Sequence, residues 1–87
     1  MDAVRNEIEL GRVIRDTRKC LGMTQAALAE KAQVSRAYII MLEQGTGIRA
    51  ELGRVLRVIR ALRLQLVATP DTTPSFEDAL EQLLGKS

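Results

Sequence analysis

The chain of 87 residues has no histidine, no tryptophan, a single cysteine (Cys20) and only two aromatic side chains, Tyr38 and Phe76. Each absence removes a class of chemistry. One cysteine forms no internal disulfide, and one thiol without histidine leaves none of the usual zinc-ligand sets, so no metal ligands are expected. Cys20, late in the first predicted helix, reads as a small packing residue. With no histidine, no phosphate loop and no nucleophile beside a base, nothing supports an enzyme, and no catalytic residue or cofactor is assigned. Two aromatics are too few for the stacking platforms that hold single-stranded nucleic acid. No long apolar run or signal peptide is present, so no membrane partner and a cytoplasmic location are expected.

What is present is a helical pattern with uneven charge. Hydrophobic residues make up 46% of the chain, enough for a helical core. A chain this short buries a limited fraction of its surface, so pairing with a second copy would help it. Residues 1–68 carry twelve Lys and Arg against seven Asp and Glu, whereas residues 69–87 carry one against four. The basic body suits phosphate attraction, although an ordinary solvated surface could carry the same charge.

Residues 1–7 show no clear pattern and are either an arm or an extension of the first helix. Leu10, Val13, Ile14, Thr17 and Leu21 then follow helical spacing, predicting a helix over residues 8–21 with Arg12, Arg15 and Lys19 toward its other side. Gly22 closes it. Thr24 is placed to cap a second helix whose inner side is Leu28, Ala29 and Ala32, and Ser35 to cap a third. Val34 and Ile39 form a hydrophobic staple at that third start. On a helical wheel Ile39 and Leu42 turn inward, while Ala37, Ile40 and Met41 turn outward, flanked by Arg36 and Tyr38. An outward face this short of charge meets either a DNA groove or other protein.

A fourth helix is predicted from about Ala50 to Ala61, with an apolar stripe of Leu52, Val55, Leu56, Ile59 and Leu62. Its Arg54, Arg57 and Arg60 either touch phosphates or are simply solvated. Gly53 inside it costs about 1 kcal/mol relative to alanine, which a close helix contact or a compensating partner would explain. In LRLQLVA, residues 62–68, Leu62, Leu64 and Leu66 alternate with Arg63, Gln65 and Val67, the period of a strand; the alternative is a fourth helix continuing through Leu66. A lone strand is best satisfied by the same strand of another copy, which places Leu62, Leu64, Leu66 and Val67 in a homodimer interface. After the polar TPDTTP segment, Ser75 and Asp78 form a capping pattern that opens a short acidic amphipathic module. Its Phe76, Leu80, Leu83 and Leu84 are candidate partner-binding residues, either for another protein or for the chain's own dimer.

The run GMTQAALAEKAQVSRAYIIMLEQG resembles the helix-turn-helix of the Xre/phage-repressor superfamily, whose pattern GxTQxxLAxxxxVSxxxIxxxEQG it follows almost position by position. The likeness extends upstream through LGRVIRDTRKCLG and downstream through LGRVLRVIRALRLQLVA. The layout as a whole is similar to HipB-type antitoxins, the DNA-binding partners of HipA-type toxin kinases. This resemblance implies an all-α, lambda-repressor-like helix-turn-helix fold of four to five helices with a short C-terminal β-strand pairing across a dimer. Residues 1–68 would form the DNA-binding domain, and residues 69–87 the linker and tail.

It also implies a sequence-specific repressor of double-stranded operator DNA, associated with the nucleoid, that autoregulates its operon and holds a HipA-like kinase inactive. A stand-alone regulator without a toxin and a pure protein-interaction module are the alternatives. In the DNA-binding reading, Gln25 holds a phosphate at a helix start opened by Thr24, and Ser35 and Tyr38 make backbone contacts. Arg36 reads a guanine edge, while Ala37, Ile40 and Met41 read by shape and methyl contact. The family pattern further implies a structural salt bridge between Arg18 and Glu43.

Overall fold

The computed structural model describes residues 3–46 and 50–70, together with Leu80, Glu81, Leu83 and Leu84 of the tail. Leu80, Glu81 and Leu83 of the tail are helical, and among residues 3–46 and 50–70 four helices are assigned: α1 (Glu7–Cys20), α2 (Gln25–Ala32), α3 (Arg36–Gln44) and α4 (Leu52–Ala61). Three open on a side-chain cap. Asn6, Thr24 and Ser35 accept hydrogen bonds from the backbone N–H groups of Glu9, Ala27 and Tyr38 at 2.9, 3.0 and 3.0 Å, satisfying donors that the first turn leaves free. Residues 3–6 therefore precede α1 rather than extend it. Glu51, with extended backbone, sets the start of α4 two residues later than the sequence suggested, and its side chain makes no capping bond.

All four helices end in one way. A residue with positive φ follows each one: Gly22, Gln33, Gly45 and Arg63. The next N–H then reaches back to an inner carbonyl, Met23 to Arg18, Val34 to Ala29, Thr46 to Met41 and Leu64 to Ile59, at 3.0 to 3.2 Å. Met23, Val34 and Leu64 also pack against the core, so three of the four reversals turn an apolar side chain inward.

The last of these caps corrects the reading of residues 62–68. Leu62 is the C-cap of α4 and only 1% exposed, so it belongs to the protomer's own core and not to an open edge. Helix continuation through Leu66 is also excluded, because Arg63 adopts left-handed backbone at φ 61. Among the described residues no strand is assigned, and residues 64–70 are irregular. Any pairing segment therefore lies beyond Leu64, whose N–H is taken by the carbonyl of Ile59.

The core is Ile14 from α1, Leu28, Ala29 and Ala32 from α2, Ile39 and Leu42 from α3, and Val55, Val58, Ile59 and Ala61 from α4, closed by Leu62. The α4 stripe is rotated from expectation. Val58 is fully buried, while Leu52, in the first turn, stays exposed. Cys20 is exposed as well and does not pack.

Gly11 sets the distance between α1 and α3. A Cβ there would run into the carbonyl oxygen of Leu42 and come within 2.8 Å of that of Glu43, so only glycine lets α1 lie directly on the end of α3. Gly53, in contrast, has nothing within 4 Å of a built Cβ, and no close contact accounts for it. Opposite effects are expected in thermal melts. Gly11→Ala should cost about 1–3 kcal/mol through overpacking against backbone, and Gly53→Ala should gain about 0.5 kcal/mol. A neutral Gly11→Ala would contradict the close α1–α3 approach.

Candidate nucleic-acid interface

The second and third helices are held by one carboxylate. Glu43, in the last turn of α3, accepts from Arg18 Nε at 2.6 Å and Nη2 at 3.2 Å, and from Gln25 Nε2 at 3.1 Å. Arg18 Nη1 donates in turn to the carbonyl of Met23 at 2.8 Å, in the α1–α2 turn. The end of α1, the start of α2 and the end of α3 thus meet at a single ion pair. Arg18 is 8% exposed, the only polar or charged residue among the buried ones described.

This network decides what Gln25 can do. Its amide nitrogen holds Glu43 through one hydrogen and keeps a second N–H at the start of α2. Thr24, whose hydroxyl oxygen caps that helix, is exposed beside it. The residues expected at DNA on α3 lie on its outer side: Ser35, Arg36 and Ala37 are exposed, and Ile40 and Met41 are half-buried. No acidic residue stands in the first turn of α3, so the exposed guanidinium of Arg36 leads that end.

Tyr38 is differently placed. Its ring packs against the core, and its hydroxyl is buried without a hydrogen-bond partner among the described residues. Burial raises the phenol above its ordinary 10.0, outweighing the opposing pull of Arg54 and Arg57. Arg54, from α4, lies over the ring face at 5.9 Å from its centroid.

The three α4 arginines, equivalent in the sequence pattern, have separate roles. Arg57 donates to the carbonyls of Ala32 and Gln33 at 3.1 and 3.3 Å, closing the end of α2. Arg54 stands beside Glu51 at 3.3 Å. Arg60 is exposed, with no ion pair among the described residues. The Arg57 contact spans 25 residues and has no local signal; the Glu51–Arg54 spacing of three is a signal that the sequence does carry.

Of the residues expected in a dimer interface, Leu64 is half-buried against the core, whereas Leu66 and Val67 are 58% and 64% exposed. Leu80, Leu83 and Leu84 of the tail are exposed, and Phe76 lies outside the described residues. Among the described residues no cluster of metal-ligating side chains occurs, and no helix is long and apolar enough to cross a membrane.

Two measurements check this geometry. Glu43→Ala strands the buried Arg18 charge and should cost about 3 kcal/mol, while Arg18→Met combined with Glu43→Leu should recover most of that loss; equal losses would contradict the ion-pair account. Tyr38 is the chain's single tyrosine, so phenolate absorbance reports it alone. Its titration should lie above 10.0 in the folded protein. Because the unfolded phenol loses its proton first, this contribution to stability is complete below the unfolded value and declines as pH rises through and beyond it. Titration at or below the ordinary value would contradict the burial.

No curated protein matches the chain. A family model described as a helix-turn-helix domain matches residues 9–71. That span covers α2, α3, α4 and all but the first two residues of α1, with the network joining the first three helices, and the chain belongs to this helix-turn-helix family.

Proposed function

We propose that the protein is a sequence-specific, dimeric repressor of double-stranded DNA, autoregulating its own operon as the antitoxin of a HipA-like kinase toxin. The observation that carries the DNA-binding part is the outer side of α3. Arg36 and Ala37 are exposed on a helix whose far end is clamped by a buried ion pair, within a chain that belongs to a helix-turn-helix family. In this reading α3 enters the major groove. Arg36 bonds a guanine edge in bidentate fashion, Ala37, Ile40 and Met41 meet thymine methyls, and Thr24, Gln25 and Ser35 face the phosphates.

Two copies are needed to read a two-fold operator, with half-sites about 34 Å apart. Support for pairing comes from residues 65–70, which make no backbone–backbone hydrogen bonds among the described residues, and from the exposure of Leu66 and Val67 in that segment. Alignment with the same segment of a second copy would satisfy both. The antitoxin part rests on the resemblance in layout to HipB-type proteins. The exposed Leu80, Leu83 and Leu84 are the surface offered to the kinase.

Affinity capture of the tagged chain from its native host, reading both protein and DNA, tests the whole proposal. Recovery of a kinase with the chain's own promoter is expected; promoter DNA alone would remove the antitoxin role and leave a regulator. Arg36→Ala should weaken operator binding by about 5- to 150-fold per half-site and leave nonspecific binding much less affected. Equal losses would remove Arg36 as a base reader. For the dimer, Leu66→Asp with Val67→Asp should halve the mass seen by light scattering, and an unchanged dimer would overturn the pairing; neither side chain is needed by the protomer's core.

A further inference from the structure

We propose that Arg54 is a phosphate contact of the interface and that Glu51 is its built-in competitor, setting how tightly the protein holds any duplex. The proposal rests on the DNA-binding reading. Three observations carry it. First, the guanidinium of Arg54, from α4, lies over the Tyr38 ring of α3 at 5.9 Å from its centroid. A helix with its side chains is about 10–12 Å across and the major groove about 12 Å wide, so a cation held on the flank of the inserted helix meets the phosphate wall.

Second, Arg54 remains available. Its side chain is 52% exposed, whereas Arg57 is committed to the carbonyls that end α2. The ring beneath Arg54 restricts it without neutralising it, because a cation over an aromatic face keeps its charge and its outward N–H groups. Tyr38 therefore acts through Arg54: the hydroxyl is turned inward and buried, and the ring face is the platform.

Third, the counter-ion in place is a weak one. Glu51 lies at 3.3 Å from Arg54 Nε, its side chain 72% exposed, three residues before it at the N-cap of α4. Such a pair is readily exchanged, and a phosphate diester can take the carboxylate's position. Glu51 is then left beside the DNA backbone as an unpaired negative charge, so every binding event first breaks one ion pair and then meets one repulsion. The result is a brake on nonspecific affinity that leaves base readout by α3 untouched.

The test measures binding of the full chain to a random-sequence duplex across a salt series, for wild type, Glu51→Gln, Arg54→Gln and the double variant. Helical signal and melting temperature confirm that each is folded. Glu51→Gln should tighten binding about two- to five-fold at low salt. Arg54→Gln should weaken it by a similar factor and reduce the slope of log affinity against log salt by about 0.9 per protomer. In the double variant most of the Glu51→Gln gain should vanish. An unchanged slope for Arg54→Gln would overturn the phosphate contact. A full Glu51→Gln gain persisting without Arg54 would overturn the competition, since Glu51 would then act by direct repulsion. Four indistinguishable curves, all with ordinary salt dependence, sink this inference alone, whereas wild type that binds no duplex sinks the DNA-binding reading with it.

Discussion

The carboxylate of Glu43 is the point on which the arrangement of α1, α2 and α3 depends. It receives two bonds from Arg18 and one from Gln25, so a single group fixes the end of α1, the start of α2 and the end of α3 relative to one another. Burying such a pair gains little net stability, since desolvation offsets most of the attraction. Its effect is geometric. Once Arg18 is buried, every arrangement that separates it from Glu43 is disfavoured by the cost of an unpaired charge, and α3 keeps one angle against α2.

The rest of the fold supplies what that ion pair cannot. Gly11 lets the α1 backbone lie against the carbonyls at the end of α3, bringing Arg18 within reach of Glu43 without a spacer. At the other end, Ser35 caps α3 and Val34 packs inward, so the start of the helix is as firmly set as its end. Arg57 does the same for the end of α2 from a distance, binding the carbonyls of Ala32 and Gln33. The outer side of α3 is thereby presented as a rigid surface bearing Arg36 and Ala37, with Ile40 and Met41 half-covered behind them. Such preorganisation is what reading a groove requires, because side chains placed in advance lose less entropy on contact.

What could be read from residues alone was what depends on near neighbours. Thr24 and Ser35 declare their caps because the bonds they make lie three residues away, and Leu28, Ala29, Ala32, Ile39 and Leu42 declare their burial through helical period. The Arg18–Glu43 contact, 25 residues apart, came from the resemblance and not from any local pattern. Arg57 was hidden because a capping arginine and a solvated one have the same helical spacing. LRLQLVA misled for a related reason. Its period of two is real, but Leu62 and Arg63 are taken by the end of α4, where a non-glycine residue accepts left-handed backbone so that Leu64 can turn inward. Packing outweighed both the strand pattern and the helix propensity of leucine and arginine. Among the proposed site residues, Tyr38 showed its position on α3 in the sequence; its inward hydroxyl and outward ring face needed the arrangement of α4.

The central claim is that α3, held by this clamp, is the surface that meets duplex DNA. Amide chemical-shift mapping of the labelled chain, titrated with a short duplex at low salt, tests it most directly and needs no knowledge of the operator. The account predicts that the largest shifts fall on Gln25, Arg36, Ala37, Ile40 and Met41, with the outer face of α1 around Arg12 and Asp16 unmoved. Shifts centred on that face of α1, or a spectrum that DNA does not alter, would contradict it.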